Sequence, residues 1–382
     1  MFNIKKILSS KLFIRPLIAC TLAILLTSFL ASDVNSDIVM SAICGSSDIE
    51  VSDFYNRIRA GASQKKLDNE ILVVNIDTIY DRGKIADLVS LISAENPKAI
   101  CLDVLFEEEK DYESDKKLIE ALSSTPNLVV SQRYSEADLA PESDFISENT
   151  SNIKRGMGNL TSITSRGIVR EETPFFGKDF EYPSLAAMML QICDPEKYTK
   201  LLQHTNDELI RFNPNEYYIA EPLELKEDNS MVNDKIVFIG TVTDEGDLHP
   251  TPLDDDYPGV MIHANSLSMM LHEDYINPNS EIYNLILGLL SCILVAVLYV
   301  YLDAAQNFVM RVFPIIWIAV IALVGCWTFN KWGIYLNSPR TIILACLSLV
   351  VLDTWYAFEE PVKKLWRKFS IKDIIQSSET QD

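Results

Sequence analysis

The chain has 382 residues, of which 54 are Asp or Glu and 33 are Lys or Arg, so its formal net charge is −21. The negative charge is concentrated between residues 32 and 281, where 47 acidic residues stand against 21 basic ones. A field of this sign repels nucleic acid and anionic lipid headgroups, which makes both poor partners of this region, and we predict no nucleic-acid partner. Two interpretations remain: attraction of cations or basic ligands, or a solvated acidic surface without a binding role.

An uncharged apolar segment, residues 17–31, lies near the N-terminus. Four basic residues precede it, as is typical of a membrane segment whose N-terminal side stays in the cytoplasm: Lys5, Lys6, Lys11 and Arg15. A cleaved signal peptide is the alternative, but Phe29 occupies a position at which cleavage requires a small residue. We therefore predict a cytoplasmic N-terminus, residues 1–16, followed by an uncleaved anchor.

The region 32–281 alternates short β-branched runs with helical stretches. In its first half we predict strands at 71–76, 99–106 and 127–131, and helices at 84–95 and 114–123. A polar excursion over 134–153 follows. In the second half we predict a short strand at 167–170, edge strands at 208–212 and 217–220, and a strong strand at 235–240. Helices are predicted at 184–192, 198–203 and 260–271. Near-continuous apolar strands between helices are typical of an α/β fold with a mostly parallel sheet and helices on both faces.

Three further apolar segments follow, at residues 282–302, 312–329 and 341–358. Counting crossings from a cytoplasmic N-terminus places the region 32–281 outside, and then the loop 303–311 inside, the hairpin 330–340 outside and the tail 359–382 inside. The basic residues of the tail agree with this orientation. We therefore predict four transmembrane helices, one before and three after a single extracytoplasmic domain.

The seven cysteines do not suggest a disulfide framework. Four of them lie in the apolar segments, and the other three, Cys44, Cys101 and Cys193, show no repeated spacing. Cys101 falls in a predicted apolar strand, where we expect a buried thiol. Cys44 and Cys193 are therefore the one pair worth testing for a bridge.

Several acidic residues follow predicted strands. Asp77 ends the first strand, Asp103 lies late in the second, and Asp247 and His249 follow the strand 235–240. Ligands of open α/β sheets bind at the carboxyl ends of strands, so these side chains are candidates for a pocket that holds a cation or a basic ligand, with Arg170 as a counter-charge. The alternative is structural, because an Asp at a strand end also caps the helix that follows.

No catalytic or metal-binding motif is present. The four histidines lack metal-ligand spacing, and the chain has neither a Gly-x-Ser-x-Gly elbow nor a glycine-rich phosphate loop. His263 is expected to be a packing or capping residue. We therefore predict a non-enzymatic protein without a metal or cofactor, and an exported metal-dependent hydrolase is the weaker alternative.

A series of motifs gives the acidic region a family resemblance. They are Asp53, Arg57 and Arg59 in a first helix, Val74-Asn-Ile-Asp77, Ile100-Cys-Leu-Asp103, Gly167-Ile-Val-Arg170, Tyr182-Pro-Ser184, Lys235-Ile-Val-Phe-Ile-Gly240 and Pro258-Gly259-Val260-Met-Ile-His263-Ala264-Asn265. In this order they closely resemble the CHASE type 2 domain, an extracytoplasmic sensory domain of bacterial membrane receptors, over roughly residues 40–275. One anchor before the domain and three spans after it is also this family's usual arrangement.

The resemblance implies a dimeric sensor in the bacterial inner membrane, with its main domain in the periplasm. Family receptors pass their signal to a cytoplasmic cyclase, kinase or diguanylate cyclase domain, whereas only residues 359–382 follow the last predicted span, too few to fold alone. We therefore expect a small ligand or an envelope protein outside, and a separate signalling partner at the membrane segments or the amphipathic tail. For the tail, adhesion to the inner leaflet is an equal alternative. A scaffold subunit of an inner-membrane envelope complex is the alternative function.

Overall fold

The computed structural model describes residues 50–62, 66–160, 167–203, 206–301 and 307–336. Ser52–Asn277 forms one compact unit, and the described residues from Pro278 onward belong to a second. The predicted segments 17–31 and 341–358 and the tail 359–382 lie outside the described residues, as does Cys44.

A six-stranded sheet forms the centre of the first unit. Its strands are β1 (Leu67–Asn75), β2 (Ala99–Leu102), β3 (Leu128–Gln132), β4 (Lys154–Met157), β5 (Glu216–Ala220) and β6 (Ile236–Gly240). They lie in the order β5-β1-β6-β2-β3-β4, and each neighbouring pair is parallel. The predicted α/β fold with a mostly parallel sheet is therefore confirmed.

Eight α-helices accompany this sheet in the described residues up to Asn277: α1 (Val51–Ala62), α2 (Arg82–Ser93), α3 (Tyr112–Ser124), α4 (Phe145–Asn149), α5 (Leu185–Cys193), α6 (Pro195–Leu201), α7 (Pro222–Glu227) and α8 (Gly259–Leu271). Side-chain caps fix where several of them begin. The carboxylates of Asp81 and Asp111 accept backbone hydrogen bonds at the starts of α2 and α3, and the Ser184 hydroxyl does so at α5. Such caps satisfy N–H groups that the first helical turn leaves unpaired.

Each face of the sheet has its own hydrophobic core. Val74 and Leu102 point to one face and pack among residues of α2 and α3. Val73 and Phe238 point to the other and pack among residues of α5 and α8. All four side chains are fully buried, and removing such a side chain from water contributes about 1.5–3 kcal/mol. The alternating orientation of strand residues thus places helices on both faces, as predicted.

Several details differ from the predicted elements. β2 ends at Leu102 rather than at residue 106, and the chain from Asp103 onward leaves the sheet. β4 directly follows the polar excursion 134–153 and was not predicted, while Gly167–Arg170 forms no strand. Four pairs of two-residue strands lie outside the sheet: Tyr134–Ser135 with Ala140–Pro141, Glu171–Glu172 with Glu208–Leu209, Phe175–Phe176 with Tyr182–Pro183, and Leu248–His249 with Tyr257–Pro258.

The second unit contains α9 (Ser280–Tyr301) and α10 (Asn307–Trp332), which include residues 282–301 and 312–329 of the predicted segments. The Trp317 indole N–H donates to Ser291 Oγ across 3.1 Å. In the part of the chain that the structure describes, no helix combines the length and apolar character required for a membrane span. The four transmembrane helices and their connecting loops stay a prediction.

The thiol of Cys101 is fully buried in β2, as predicted. Cys193 is a free thiol at the end of α5, and burial raises its pKa to about 11. Of the proposed pair with Cys44, the structure therefore describes only the Cys193 side.

Candidate functional site

A cavity of about 550 Å³ opens at the carboxyl edge of the sheet. Parallel strands end together at this edge, so residues from five strand ends and from α8 meet there. The lining consists of Ile76, Ile79, Tyr80, Arg82, Ile85, Asp103, Val104, Leu105, Phe106, Glu107, Glu108, Lys110, Ser131, Gly158, Leu160, Thr241, Asp244, Asp247, His249 and His263. Three of the five predicted site residues, Asp103, Asp247 and His249, therefore share one cavity.

Asp103 lies directly after β2, where its backbone N–H donates to Ile239 O at 2.8 Å. Its side chain is only 13% exposed, and Oδ2 lies 3.9 Å from Nε2 of His263. Burial raises the pKa of Asp103, although His263 and a hydrogen bond from Ser131 act in the opposite direction. The cavity thus contains a carboxyl group whose ionised form lacks full compensation from its protein neighbours.

His263 is the cavity residue that sequence reasoning missed, because one histidine on an apolar helix is more often a packing residue. Its side chain is 3% exposed, and its Nδ1 has no hydrogen-bond partner among the described residues. The imidazole interacts electrostatically with Asp103 and also with Glu172, a second carboxyl group whose pKa is raised by burial. The sequence did offer one signal for a site residue: His263 lies one turn after the Pro-Gly start of α8.

Asp247 and His249 enter the cavity from the loop after β6. Asp247 Oδ2 accepts a hydrogen bond from Thr241 Oγ1 at 2.9 Å, and Oδ1 lies 3.6 Å from His249 Nε2. The carboxylate also packs against Gly259, the first residue of α8, where a Cβ atom would lie only 2.6 Å from Oδ1. A glycine at this position therefore lets the carboxylate approach the start of the helix.

Asp77 has a different role from the one predicted. It is not among the described residues that line the cavity. Its carboxylate accepts hydrogen bonds from the backbone N–H groups of Val242 and Thr243 and from Thr243 Oγ1, at 2.7–3.2 Å. Burial acts to raise the pKa of Asp77, but these hydrogen bonds outweigh it and lower the pKa. Asp77 therefore fastens the loop after β6 instead of facing a ligand.

Asp77→Ala is expected to lower the free energy of unfolding at neutral pH by about 1–2 kcal/mol, because backbone donors lose their acceptor. A lowered folded-state pKa contributes stability above the unfolded value of 3.8, and this contribution is lost as pH falls through the folded-state pKa. Urea unfolding followed by pulse proteolysis should show the difference at pH 7 and little of it in acid. Asp255→Ala, in an exposed turn, is the control; an equal effect there would contradict the assignment.

Arg170 does not supply a counter-charge to the cavity. Its Nε and a terminal nitrogen donate to both carboxylate oxygens of Asp53 in α1, at 2.7 and 2.8 Å. The two side chains are 5% and 10% exposed, so this is a buried bidentate ion pair. Arg170 therefore holds the first helix against the body of the unit.

Further contacts fasten α1 at its other end. Arg59 donates to Phe212 O at 3.0 Å and forms an ion pair with Asp274, which also pairs with Arg211. Burial and the neighbouring Arg59 lower the pKa of Arg211 to about 10. Asp274 follows α8 by three residues, so this cluster joins the first helix of the unit to the segment where the chain leaves it.

Arg82 stabilises the outer wall of the cavity. One terminal nitrogen donates to Asp115 Oδ1 at 2.6 Å, and the guanidinium lies 4.7 Å from the ring centroid of Phe145 and 5.4 Å from that of Phe106. The other oxygen of Asp115 accepts from the backbone N–H of Lys110 at 2.7 Å. Because Asp115 balances the charge of Arg82, this arginine leaves no free positive charge for an anionic ligand.

The described residues include no group of three or more His, Cys, Asp or Glu side chains placed to hold a metal ion. No curated protein and no solved structure matches the chain. A family model for the CHASE2 domain matches residues 38–302, which is more than half of the chain and includes the whole α/β unit. The chain therefore belongs to the CHASE2 domain family, a family of extracytoplasmic sensory domains.

Proposed function

We propose that this protein is a non-enzymatic membrane sensor, whose extracytoplasmic α/β unit binds a small ligand in the cavity at the carboxyl edge of the sheet. The cavity itself carries this proposal. Its volume of about 550 Å³ lies within the range of small-molecule sites, and it combines apolar side chains with many polar ones, among them Asp103, Asp247 and His263. Membership of a sensory family agrees with such a role.

Helix α8 offers a route from the cavity to the ends of the unit. Its first residue, Gly259, contacts Asp247, and His263 lines the cavity one turn later. The same helix leads to Asp274, which pairs with Arg59 of α1. A ligand that shifts α8 would therefore change the contact between the two places where the chain enters and leaves the unit. In sequence, these places lead toward the predicted spans 17–31 and 282–302.

We infer that the signal passes through the four predicted membrane helices of a homodimer in the bacterial inner membrane. Its receiver would be a separate signalling protein that contacts these helices or the basic tail 359–382. The uneven placement of the apolar segments and the basic residues of the tail support the membrane orientation in this proposal.

A thermal-shift screen tests the ligand site. The full chain in detergent is screened against small metabolites, and the expected result is at least one compound that raises the melting temperature. Ile79→Trp places a large side chain in the cavity wall and should abolish this rise. Leu223→Trp, at a position 67% exposed on α7 and outside the lining, should retain it.

Two outcomes would count against this function. If every stabilising compound acted equally on wild type and Ile79→Trp, the cavity would not be the ligand site. If the chain purified with the same stoichiometric partner under every growth condition and no compound bound, the scaffold alternative would be favoured.

A further inference from the structure

We propose that the ligand of the cavity is a small aliphatic amine, held through its protonated amino group by Asp103 and Asp247. This inference rests on the proposed function and specifies its ligand. Among the described lining residues, five carboxyl groups stand against Arg82 and Lys110: those of Asp103, Glu107, Glu108, Asp244 and Asp247. Glu107, Glu108 and Asp244 are exposed, but Asp103 is largely buried, and Asp115 balances the charge of Arg82, so the net charge of the lining favours a cation.

The cavity combines two carboxylates with a buried imidazole, one nitrogen of which has no partner among the described residues. His263 is 97% buried, lines the cavity, and has no hydrogen-bond partner for Nδ1 in the described part of the chain. Its Nε2 lies 3.9 Å from Asp103 Oδ2, which is too far for a direct hydrogen bond. An ammonium group suits this lining, because its three N–H donors can be shared between more than one carboxylate oxygen.

An anionic ligand fits poorly. In an open α/β sheet, an anion commonly binds where a helix begins at the carboxyl edge, because its N–H groups are unpaired there. Here the carboxylate of Asp247 already packs against Gly259 at the start of α8. A second anion would meet that carboxylate directly.

A metal ion fits no better than an anion. Ca²⁺ requires six to eight oxygen ligands at about 2.3–2.6 Å, and no group of three suitable side chains is arranged for a metal in the described residues. Apolar side chains instead form much of the wall: Ile76, Ile79, Ile85, Val104, Leu105 and Leu160. They suit the methylene groups of an alkylamine, whose burial contributes about 0.8 kcal/mol per CH₂.

Three four-carbon probes that differ in charge provide the test: 1,4-diaminobutane, butane-1,4-diol and butanedioate. Calorimetric titration of the full chain in detergent should show saturable binding of the diamine and no binding of the diol or the dianion. Asp103→Asn should weaken diamine binding at least tenfold. Titration at high salt removes weak attraction by the acidic surface, because exposed charges are screened while buried ones are much less affected.

Asp255→Asn is the matched control, since it removes one carboxylate from an exposed turn that does not line the cavity. It should leave diamine binding unchanged. Absence of diamine binding, or equal weakening by Asp255→Asn and Asp103→Asn, would overturn the proposal. Binding of the diol or dianion that Ile79→Trp abolishes would reject the amine class and retain the cavity as a ligand site. Failure of the metabolite screen itself would reject the ligand site.

Discussion

Arg170→Ala is expected to lower the free energy of unfolding of the α/β unit by about 3–5 kcal/mol, because it leaves the Asp53 carboxylate buried without its bidentate partner. The loss should also release α1, whose other fastenings involve Arg59 and Asn56. Urea unfolding followed by pulse proteolysis of the full chain in detergent measures the effect. Tryptophan fluorescence would not, because all five tryptophans lie after residue 277.

Arg133→Ala is the matched control for this prediction. Arg133 pairs with Glu107 at 3.2 Å, but the two side chains are 49% and 67% exposed. Exposed pairs of this kind contribute at most about 1 kcal/mol. A second test replaces both buried partners, as Asp53→Leu with Arg170→Met, and should cost less than Arg170→Ala alone. Equal unfolding midpoints for Arg170→Ala and Arg133→Ala would show that the buried Asp53–Arg170 pair contributes no more to the free energy of unfolding than an exposed pair does.

Asp103→Asn is expected to act in opposite directions on stability and on binding. Burial raises the folded-state pKa of Asp103, so this group favours the folded state most below the unfolded value of 3.8, and that contribution is lost as pH rises through the folded-state pKa. The variant carries no such loss, so it should become more stable relative to wild type as pH rises. One proton limits the slope to about 1.4 kcal/mol per pH unit.

Melting temperatures of wild type and Asp103→Asn, measured without ligand between pH 3 and 8, test this sign. The groups that face Asp103 are His263 on α8, Ser131 on β3, and Asp247 and His249 in the loop after β6. In a His263→Gln background, Asp103→Asn should raise the melting temperature by more than it does in the wild-type background. The reason is that the imidazole lowers the pKa of Asp103 and so reduces the cost of its ionisation. A variant that is less stable than wild type at neutral pH would mean that ionised Asp103 is well compensated in the free protein.

The strands with strong apolar runs were predictable, and β4 was not. β6 and β2 consist of buried apolar residues, which is the usual signal for central parallel strands. β4 reads Lys-Arg-Gly-Met, and its place in the sheet depends on packing: a Cβ on Gly156 would lie 2.6 Å from the backbone of Leu185 in α5. Such a close approach involves a helix almost thirty residues away, and no local pattern indicates it.

The candidate site was predictable as a place, but the roles of its residues were not. Asp77 and Asp103 both follow apolar strands, and sequence gives them equal standing. Their roles differ because the backbone N–H groups of residues 242–243 donate hydrogen bonds to the carboxylate of Asp77. Asp103 instead lies beside His263 and Ser131 in the cavity. Arg170 likewise meets Asp53, which lies 117 residues earlier in the chain. Contacts between distant segments decided each role.

The position of β6 in the sheet affects how the protein can be synthesised and folded. β6 lies between β1 and β2, and Val237 aligns with Leu72 on one side and Ile100 on the other. Until residue 240 has left the ribosome, β1 and β2 have no strand between them, and their apolar edges stay unpaired. Sheets completed by such distant segments fold slowly, and their unfinished edges favour aggregation. We therefore expect nascent chains that stop before residue 236 to depend on chaperones, and the unit to close only once its last strand is inserted.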